Sequence, residues 1–343
     1  INLLAKRNDL SDAENPYDIS YLANNPGIHD YLQEMNSEVL QHYDGMTVGE
    51  IPFVTPEEGL LYVDERRNEL DTLFHFQVAD EMPTWDMLRF KRIQSSWYEG
   101  LKQKGWNSQF LNNHDHTRQV TRYGNDGKYR EESAKLLATM IHTLPGTPYI
   151  YQGEEIGMTG VRFDSIEDYN DIAMRNKYHE EVEKGRDPQE VFESLLLLSR
   201  DNSRTPMHWN DAPQAGFTSG EPWIKVNPNF KEINVEAALK DQDSVYYYYK
   251  KLISLRKENE VMVYGDYQDS LPDDENLYIY TRSYNGVTWL VVLNHSDEQR
   301  TFTFPAEHQL REKQLVLSNY KPKTESDENL MDPHEARIYQ ISN

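Results

Sequence analysis

Cysteine is absent from the 343-residue sequence. Without thiols this chain can form neither disulfide bonds nor thiolate metal sites, and it has no cysteine nucleophile. Proteins without disulfides are typical of a reducing compartment, so the absence favours the cytoplasm.

Basic residues are scarce relative to acidic ones. The sequence carries 35 lysines and arginines against 58 aspartates and glutamates, which gives a formal net charge of −23. Because phosphate contacts need clusters of lysine and arginine, this balance argues against nucleic acid or an anionic membrane as a partner. The simplest explanation of the acidity is solubility. Apolar stretches of about 20 residues are also absent, so nothing in the sequence is expected to span a membrane.

Hydrophobic residues make up 37% and charged residues 27% of the sequence. This composition is typical of a soluble globular protein rather than a disordered one. The length allows one large domain and a small one. Aromatic residues are abundant, with 23 tyrosines, 11 phenylalanines and 6 tryptophans. They suit a sugar-binding site and equally suit an ordinary core.

Two segments start apolar and end in polar groups, as buried parallel strands do when they deliver side chains to the rim of a barrel. The first, residues 110–115, ends in two asparagines, a histidine and an aspartate. The second, residues 146–155, passes from tyrosine and isoleucine into a glycine and two glutamates. A helix is predicted between them. Two strands joined by a helix are the repeating unit of a (β/α) barrel.

The periodicity predicts four such strands. Because a (β/α)₈ barrel has eight, we predict an α/β fold in which residues 1–263 form the C-terminal half of a TIM barrel, with strands five to eight. Residues 159–230 form a long polar excursion after the last of these strands, with one helical piece near 188–198, and such excursions are usually functional. The predicted strands are 46–50, 71–76, 108–113 and 148–152, and the predicted helices are 28–40, 56–62, 88–104, 129–144 and 243–258.

From about residue 264 the pattern changes to alternation and tight turns. Asn285-Gly286 lies between two alternating runs, at 277–284 and 287–293, which is the strongest short signal for a hairpin. We therefore predict a small antiparallel β-sandwich domain at residues 264–343. Its further predicted strands are 300–304, 314–317 and 336–341.

The candidate chemistry is a pair of carboxylates at strand ends. Glu50 ends the first predicted strand and Asp115 ends the third. Two acids on one rim suit glycoside hydrolysis, in which one protonates the departing oxygen and others stabilise an oxocarbenium-like transition state. Carboxylates in such positions also cap helices or form structural ion pairs, and that alternative stays open. A metal site at His114, Asp115 and His116 is disfavoured, because adjacent residues on a strand point to opposite faces.

The chain carries four motifs in a fixed order: MTVGE at 46–50, NNHD at 112–115, GTPYIYQGEEIGM at 146–158 and RDNSRTPMHW at 200–209. Together they resemble the oligo-1,6-glucosidase and dextran glucosidase branch of glycoside hydrolase family 13, the α-amylase superfamily. The resemblance covers essentially the whole chain. It implies a retaining, bacterial, cytoplasmic α-glucosidase that acts on α-linked gluco-oligosaccharides and uses no cofactor and no metal in this part of the protein.

The resemblance implies roles for four residues. Glu50 resembles the general acid/base on strand five. Asp115 resembles the aspartate that stabilises the transition state and grips sugar hydroxyls. His114 resembles the histidine that donates to hydroxyls of the glucose in subsite −1, and Arg200 resembles the arginine that closes that pocket. For Arg200, an ion pair within its own loop is the structural alternative.

The resemblance also predicts an incomplete catalytic set. In the family, the nucleophilic aspartate lies in a motif whose last two residues resemble Ile1-Asn2, so we expect it two positions before Ile1. A retaining glycosidase needs its nucleophile about 5–5.5 Å from the acid, so this chain alone is predicted to have no turnover. Its expected partner is the N-terminal half of the same protein, where strands one to four and the family's calcium-type loop would also lie.

Three positions depart from the pattern of the branch. Thr117 stands where a proline commonly precedes the arginine, Thr84 where a lysine is common and Ala173 where a glutamate is common. The lysine–glutamate pair is associated with binding of the α-1,6-linked sugar at the +1 side. Hydrolysis of isomaltose-type, maltose-type or trehalose-6-phosphate substrates and transglucosylation therefore all stay open. So do a non-catalytic member of the superfamily and a half-barrel that dimerises through its open edges.

Overall fold

A computed structural model of the chain describes residues 24–25, 27–321 and 328–342. The segment Ile1-Asn2, predicted to end the nucleophile motif, lies outside the described residues. None of the helices in the described part is long and apolar enough to cross a lipid bilayer.

Four short parallel strands form the centre of the larger part of the molecule. They are β1 (Val48–Ile51), β2 (Thr72–His75), β3 (Ser108–Gln109) and β4 (Thr147–Pro148). β1 pairs with β2 and β3 pairs with β4, and a parallel bridge from Leu73 to Asn107 joins the two pairs. The order is therefore β1-β2-β3-β4 with all carboxyl ends at one edge, as in half of a TIM barrel.

Helices connect these strands and cover their outer side. The second helix starts with a capping box, in which the Thr55 side chain accepts from the Glu58 N–H and the Glu58 carboxylate accepts from the Thr55 N–H. The sixth helix is buried along nearly its whole length, because it lies between the strands and the C-terminal sheet. The helices are α1 (Ile28–Glu38), α2 (Pro56–Val63), α3 (Gln77–Glu81), α4 (Met87–Leu101), α5 (Gln119–Tyr123) and α6 (Arg130–Thr143).

The third and fourth strands are shorter than the sequence predicts. The prediction of a strand at 108–113 was wrong beyond Gln109, because the backbone turns where Asn113 Oδ1 accepts a hydrogen bond from the Asp115 N–H at 2.8 Å. The prediction at 148–152 was wrong beyond Pro148. There the chain turns at Gly153, whose φ of 91° suits glycine, and enters a 3₁₀ turn at Glu154–Ile156.

The excursion at 159–230 has its own small core. It contains α7 (Ile172–Glu183), α8 (Pro188–Leu195) and α9 (Asp201–Arg204). The sequence predicted only the helical piece near 188–198 and missed α7. That helix buries only Met174, so it shows almost no apolar periodicity. The residues of this core are Val161, Phe163, Ile166, Tyr169, Met174, Val191, Phe192, Leu195, Leu196 and Ile224.

Three helices lead into the C-terminal sheet: α10 (Val235–Lys240), α11 (Val245–Glu258) and α12 (Glu260–Tyr264). The predicted domain boundary between residues 263 and 264 falls inside α12 and stays a prediction. The strands that follow are β5 (Asp266–Asp269), β6 (Leu277–Tyr284), β7 (Val287–Asn294), β8 (Arg300–Thr301), β9 (Lys313–Ser318), β10 (Leu330–Met331) and β11 (Ala336–Ile341).

The C-terminal sheet is antiparallel, in the order β5-β6-β7-β11-β9, and a β8–β10 ribbon lies beside it. Asn285 and Gly286 both have positive φ, at 49° and 80°, so the predicted hairpin between β6 and β7 is confirmed. Along β6, Tyr278 and Tyr280 face the main core with α6. The residues that alternate with them face a second core, which contains Phe302 and Phe304. The predicted strand at 300–304 was wrong beyond Thr301.

A buried lysine joins the parallel half-barrel to the C-terminal sheet. Lys91 on α4 donates to the carbonyls of Leu271, Asp274 and Leu277 at 2.5, 2.8 and 2.7 Å. Burial lowers the pKa of Lys91. Because the ammonium group binds only carbonyl oxygens here, its removal would leave several acceptors unpaired at this junction.

Candidate active site

The carboxyl ends of the parallel strands surround a cavity of about 230 Å³. Its wall is aromatic, with Phe74 edge-on to Phe110 and Tyr149 at centroid distances of 5.1 and 4.6 Å. Glu50 and His114 also line it, together with Asn112 and Asn113. Aromatic rings beside a few polar groups suit a sugar, which has apolar ring faces and hydroxyls at its edge.

Glu50 lies in β1, in register with Phe74 of β2. It is exposed, and its carboxylate forms no ion pair with any residue that the structure describes. A carboxylate that is not paired with a cation can exchange a proton with a ligand in the cavity, as a general acid/base must. Glu50 and Asp115 reach the site from elements separated by β2, and no contact joins them within the described residues.

Asp115 is the centre of a cationic cluster. Its Oδ1 lies 2.6 Å from Arg204 Nη2 and 3.4 Å from Arg200 Nε, and its Oδ2 lies 3.5 Å from His114 Nε2. The structure thus brings three of the four predicted residues together: Asp115, His114 and Arg200. The Asp115 side chain keeps 33% of its surface exposed, and it lies next to His114, which lines the cavity.

Arg204 was not predicted, although it makes the shortest contact with Asp115. Its Nε also donates to the carbonyl oxygen of His114 at 2.8 Å. Its signal in the sequence was its spacing, since it follows Arg200 by four positions and α9 carries it one helical turn onward. We infer that Arg204 holds the backbone and the carboxylate of the 114–115 segment together.

The turn that presents Asp115 is fixed by a neighbouring amide. Asn113 Oδ1 accepts from the Asp115 N–H at 2.8 Å and from His116 Nδ1 at 2.7 Å. Burial lowers the pKa of His116 to about 4, so this imidazole is neutral at pH 7 and its Nδ1 carries the proton. His116 is bound to Asn113, whereas His114 Nε2 lies 3.5 Å from Asp115 Oδ2, so the two imidazoles have different partners.

Within the excursion, the loop that carries Arg200 is held in place by the start of α7. Asp171 Oδ2 accepts from the Arg200 N–H at 2.8 Å, while its Oδ1 caps α7 by accepting from the Ala173 N–H at 2.9 Å. On the other side, the hydroxyl of Thr117 donates to the carbonyl of Leu197 at 2.6 Å. Thr117 therefore makes a contact that the proline common at its position in the branch has no group to form.

A second, buried layer supports the rim. Arg118 is fully buried and donates to the carbonyls of Gln152 and Ser203, and its guanidinium lies 5.3 Å from the Tyr151 ring. Burial lowers the pKa of Arg118 and raises the pKa of Glu154 to about 8. Glu154 is therefore mostly protonated at pH 7, and it lies behind the site rather than in the cavity.

No group of three or more histidine, aspartate and glutamate side chains within the described ranges is arranged to hold a metal ion. The expected absence of a cofactor stays a prediction.

The fold is thus half of a parallel barrel, with a carboxylate on its first strand and an arginine-bound aspartate after its third. A family model described as the catalytic domain of alpha-amylase matches residues 1–265. The chain belongs to the α-amylase family.

More particular relatives cover almost the whole chain. An oligo-1,6-glucosidase of Parageobacillus thermoglucosidasius is 49% identical, over 99% of this chain and 64% of that protein. A trehalose-6-phosphate hydrolase of Bacillus subtilis (strain 168) is 40% identical, over 100% of this chain and 63% of that protein. The crystal structure of Bacillus licheniformis trehalose-6-phosphate hydrolase is similar with a TM-score of 0.89 and 42% identity, over 95% of this chain and 61% of that one.

These comparisons confirm the predicted resemblance to the oligo-1,6-glucosidase branch and the predicted fold class. The chain spans less than two thirds of the length of the curated relatives that it matches. The roles of Glu50, Asp115, His114 and Arg200 stay predictions.

Proposed function

We propose that the protein containing this chain is a retaining α-glucosidase that releases terminal α-linked glucose from isomalto- or malto-oligosaccharides. The observation that carries the proposal is the cluster at the rim, where Arg200, Arg204 and His114 converge on the Asp115 carboxylate beside a cavity lined by Glu50. The names of the relatives support the same class of reaction.

In the proposed mechanism, Glu50 protonates the glycosidic oxygen as the bond to the anomeric carbon breaks. Asp115 and His114 bind hydroxyls of the distorted glucose, and Arg200 closes the pocket. A carboxylate attacks the anomeric carbon, and Glu50 then takes a proton from the water that releases glucose. The positive charge that develops on the glucose ring is stabilised by the carboxylates of the site.

The attacking carboxylate has to lie about 5–5.5 Å from Glu50. We propose that it comes from the N-terminal half of the same protein, since the relatives are longer than the part that this chain matches. That half would also pair with the open edges of β1 and β4, since unpaired strand edges of a barrel need partners. The isolated chain should then show no turnover.

The linkage preference is left open by two positions. Thr84 and Ala173 replace the lysine and glutamate associated with α-1,6-linked sugars, and the Ala173 N–H only serves the cap of α7. Trehalose 6-phosphate is the second candidate substrate, because two of the relatives are named as its hydrolases. We also propose a cytoplasmic location and neither nucleic acid nor membrane as partner, on the strength of the charge balance and the absence of cysteine.

The test is hydrolysis of isomaltose, maltose and trehalose 6-phosphate by the full-length protein and its Glu50→Gln variant. We expect the exchange to lower kcat by about 10²–10⁴-fold, the usual contribution of a general acid, with an unchanged melting temperature. Glu57→Gln, an exposed change in the first turn of α2, is the matched control and should leave kcat unchanged. Full activity of the Glu50 variant would disprove its proposed role, and turnover by the isolated chain would disprove the need for its other half.

A further inference from the structure

A second cavity, of about 240 Å³, lies at the end of the strands opposite to Asp115. It is bounded by the C-terminal half of α4, the start of β3, the loop before β4, the end of α12 and the start of β5. No step of the proposed mechanism uses any residue of this region.

Three amide side chains line this cavity although they are almost fully buried. Gln94, Asn107 and Gln109 expose only 5%, 8% and 4% of their surface. Gln109 Nε2 donates to Gln94 Oε1 and to the carbonyl of Pro145, both at 2.9 Å. Because a nitrogen has to face these two oxygens, the orientation of both glutamine amides follows.

This arrangement leaves polar atoms for a ligand. Within the described part of the chain, Gln94 Nε2 and Gln109 Oε1 have no hydrogen-bond partner, and neither does Asn107 Nδ2, whose own oxygen accepts from the Ser108 N–H. Each of these atoms keeps some exposed surface, and the three residues that carry them line the cavity. Two donors and one acceptor are thus held ready on rigid elements.

The other walls are aromatic. The rings of Trp106 and Tyr264 lie 6.1 Å apart, and Tyr264 is 57% exposed. The indole N–H of Trp106 is committed to Thr147 Oγ1 at 2.7 Å, so Trp106 offers its ring face rather than a donor. Ring faces beside amides are the surfaces that carbohydrates use, since a pyranose has apolar faces and a polar edge.

The charged groups of the cavity do not favour a charged ligand. Arg282 already donates to four backbone carbonyls. Lys102 pairs with Glu99 at 3.3 Å, and Asp266 accepts from the Tyr98 hydroxyl at 2.9 Å. One Asp266 oxygen remains to accept from a ligand hydroxyl.

We propose that this amide cleft, defined by Gln94, Gln109, Trp106, Tyr264 and Asp266, binds one neutral pyranose unit outside the active site. Its volume lies just below the range of about 300–1,000 Å³ typical of ligand pockets, so it admits a single ring rather than an oligosaccharide chain. With so few contacts we expect a dissociation constant on the order of 1–10 mM. The choice of glucose as the sugar rests on the proposed function, because glucose is the product of that reaction.

The experiment uses crystals of the full-length Glu50→Gln protein, soaked with D-glucose at about ten times the expected dissociation constant. We expect sugar density in the amide cleft, with hydroxyls within hydrogen-bond distance of Gln94 Nε2 and Gln109 Oε1. Gln94→Met keeps the side-chain volume but removes the donor and the oxygen that accepts from Gln109. The dissociation constant should rise about tenfold, which lowers occupancy at this concentration about twofold. Gln189→Met, the same exchange on the exposed face of α8, should leave occupancy unchanged.

The two sites are read separately in the same maps. Glucose in the cleft supports this inference even if the protein hydrolyses no glucoside. Glucose only beside Asp115, or a cleft filled by water or by another segment of the protein, overturns it. If the Gln94 variant does not fold, Tyr264→Ala removes a ring that is 57% exposed, and it should also lower occupancy. Unchanged occupancy in the folded variants would likewise overturn the proposal.

Discussion

Replacement of Arg204 by glutamine is a sharp test of the site. Arg204 donates to the Asp115 carboxylate at 2.6 Å and to the His114 carbonyl at 2.8 Å, so one guanidinium sets both a charge and a backbone position. Glutamine keeps a polar side chain but loses the charge and the forked geometry. We expect the Asp115 carboxylate to become less well oriented for the transition state, while the substrate is bound nearly as before.

The size of the effect follows from exposure. A hydrogen bond to a charged group contributes about 1.5–3 kcal/mol, but exposed ion pairs contribute only about 0.2–1 kcal/mol. The side chains of Arg204 and Asp115 are 32% and 33% exposed, which is between these cases. A loss of about 1.4 kcal/mol corresponds to about a tenfold fall in kcat. Arg200 lies farther from Asp115, at 3.4 Å, and is 51% exposed, so Arg200→Gln should mainly raise KM.

The assay is steady-state hydrolysis by the full-length protein, with kcat and KM reported separately. Arg204→Ala should regain part of its kcat when guanidinium is added at millimolar concentration, because the small cation can occupy the vacated position. Arg186→Gln removes an exposed ion pair with Glu181 and is the matched control. A wild-type kcat in Arg204→Gln, or a rise in KM alone, would show that Arg204 does not position Asp115.

Three further results are expected. Lys91→Met should lower the free energy of unfolding by about 2–4 kcal/mol in denaturant titrations, because several buried carbonyls lose their donor, whereas Lys250→Met on the exposed side of α11 should change it little. Asp171→Ala removes both the cap of α7 and the acceptor of the Arg200 N–H, so the melting temperature should fall by a few degrees and KM should rise. The pKa of Glu154 is raised by burial to about 8 in the folded state, from 4.5, so its contribution is complete below pH 4.5 and is lost as the pH rises towards 8. Glu154→Gln should remove a slope of up to about 1.4 kcal/mol per pH unit from the unfolding free energy over that interval, and an unchanged slope would contradict this.

The parallel half-barrel and the C-terminal hairpin could be predicted because their signals are local. An apolar run that ends in polar residues identifies the end of a buried strand, and this placed Glu50 and Asp115 at one rim. Asn285-Gly286 supplied two residues suited to positive φ, which is what a two-residue hairpin turn needs. In each of these cases the determinant lies within a few residues of the feature that it predicts.

The errors have three physical causes: a competing side-chain hydrogen bond, a helix with weak periodicity and one long-range contact. The segment 110–115 starts with apolar side chains, as a buried strand does. The Asn113 side chain nevertheless competes with strand pairing, because it accepts a hydrogen bond from the Asp115 N–H. Helix α7 buries one residue, so periodicity could not reveal it, although Asp171 before Ile172 is a cap signal that was available. The part played by Arg204 depends on a contact across 89 positions. Its spacing of four from Arg200 marked it as a neighbour of that arginine, but it could not identify Asp115 as its partner.

The rim of the site is assembled by a continuous series of polar contacts between two distant segments. Each residue of the segment 114–118 is hydrogen-bonded to the segment 197–204, through partners 80 to 90 positions apart. None of the residues that make these contacts belongs to the small apolar core of the excursion. The excursion can therefore stay folded when one of these polar contacts is lost, while Asp115 is no longer held in its position. Substitutions at the contacts between 114–118 and 197–204 should consequently lower kcat and change the melting temperature little. Substitutions in the small core should lower the melting temperature and change kcat little.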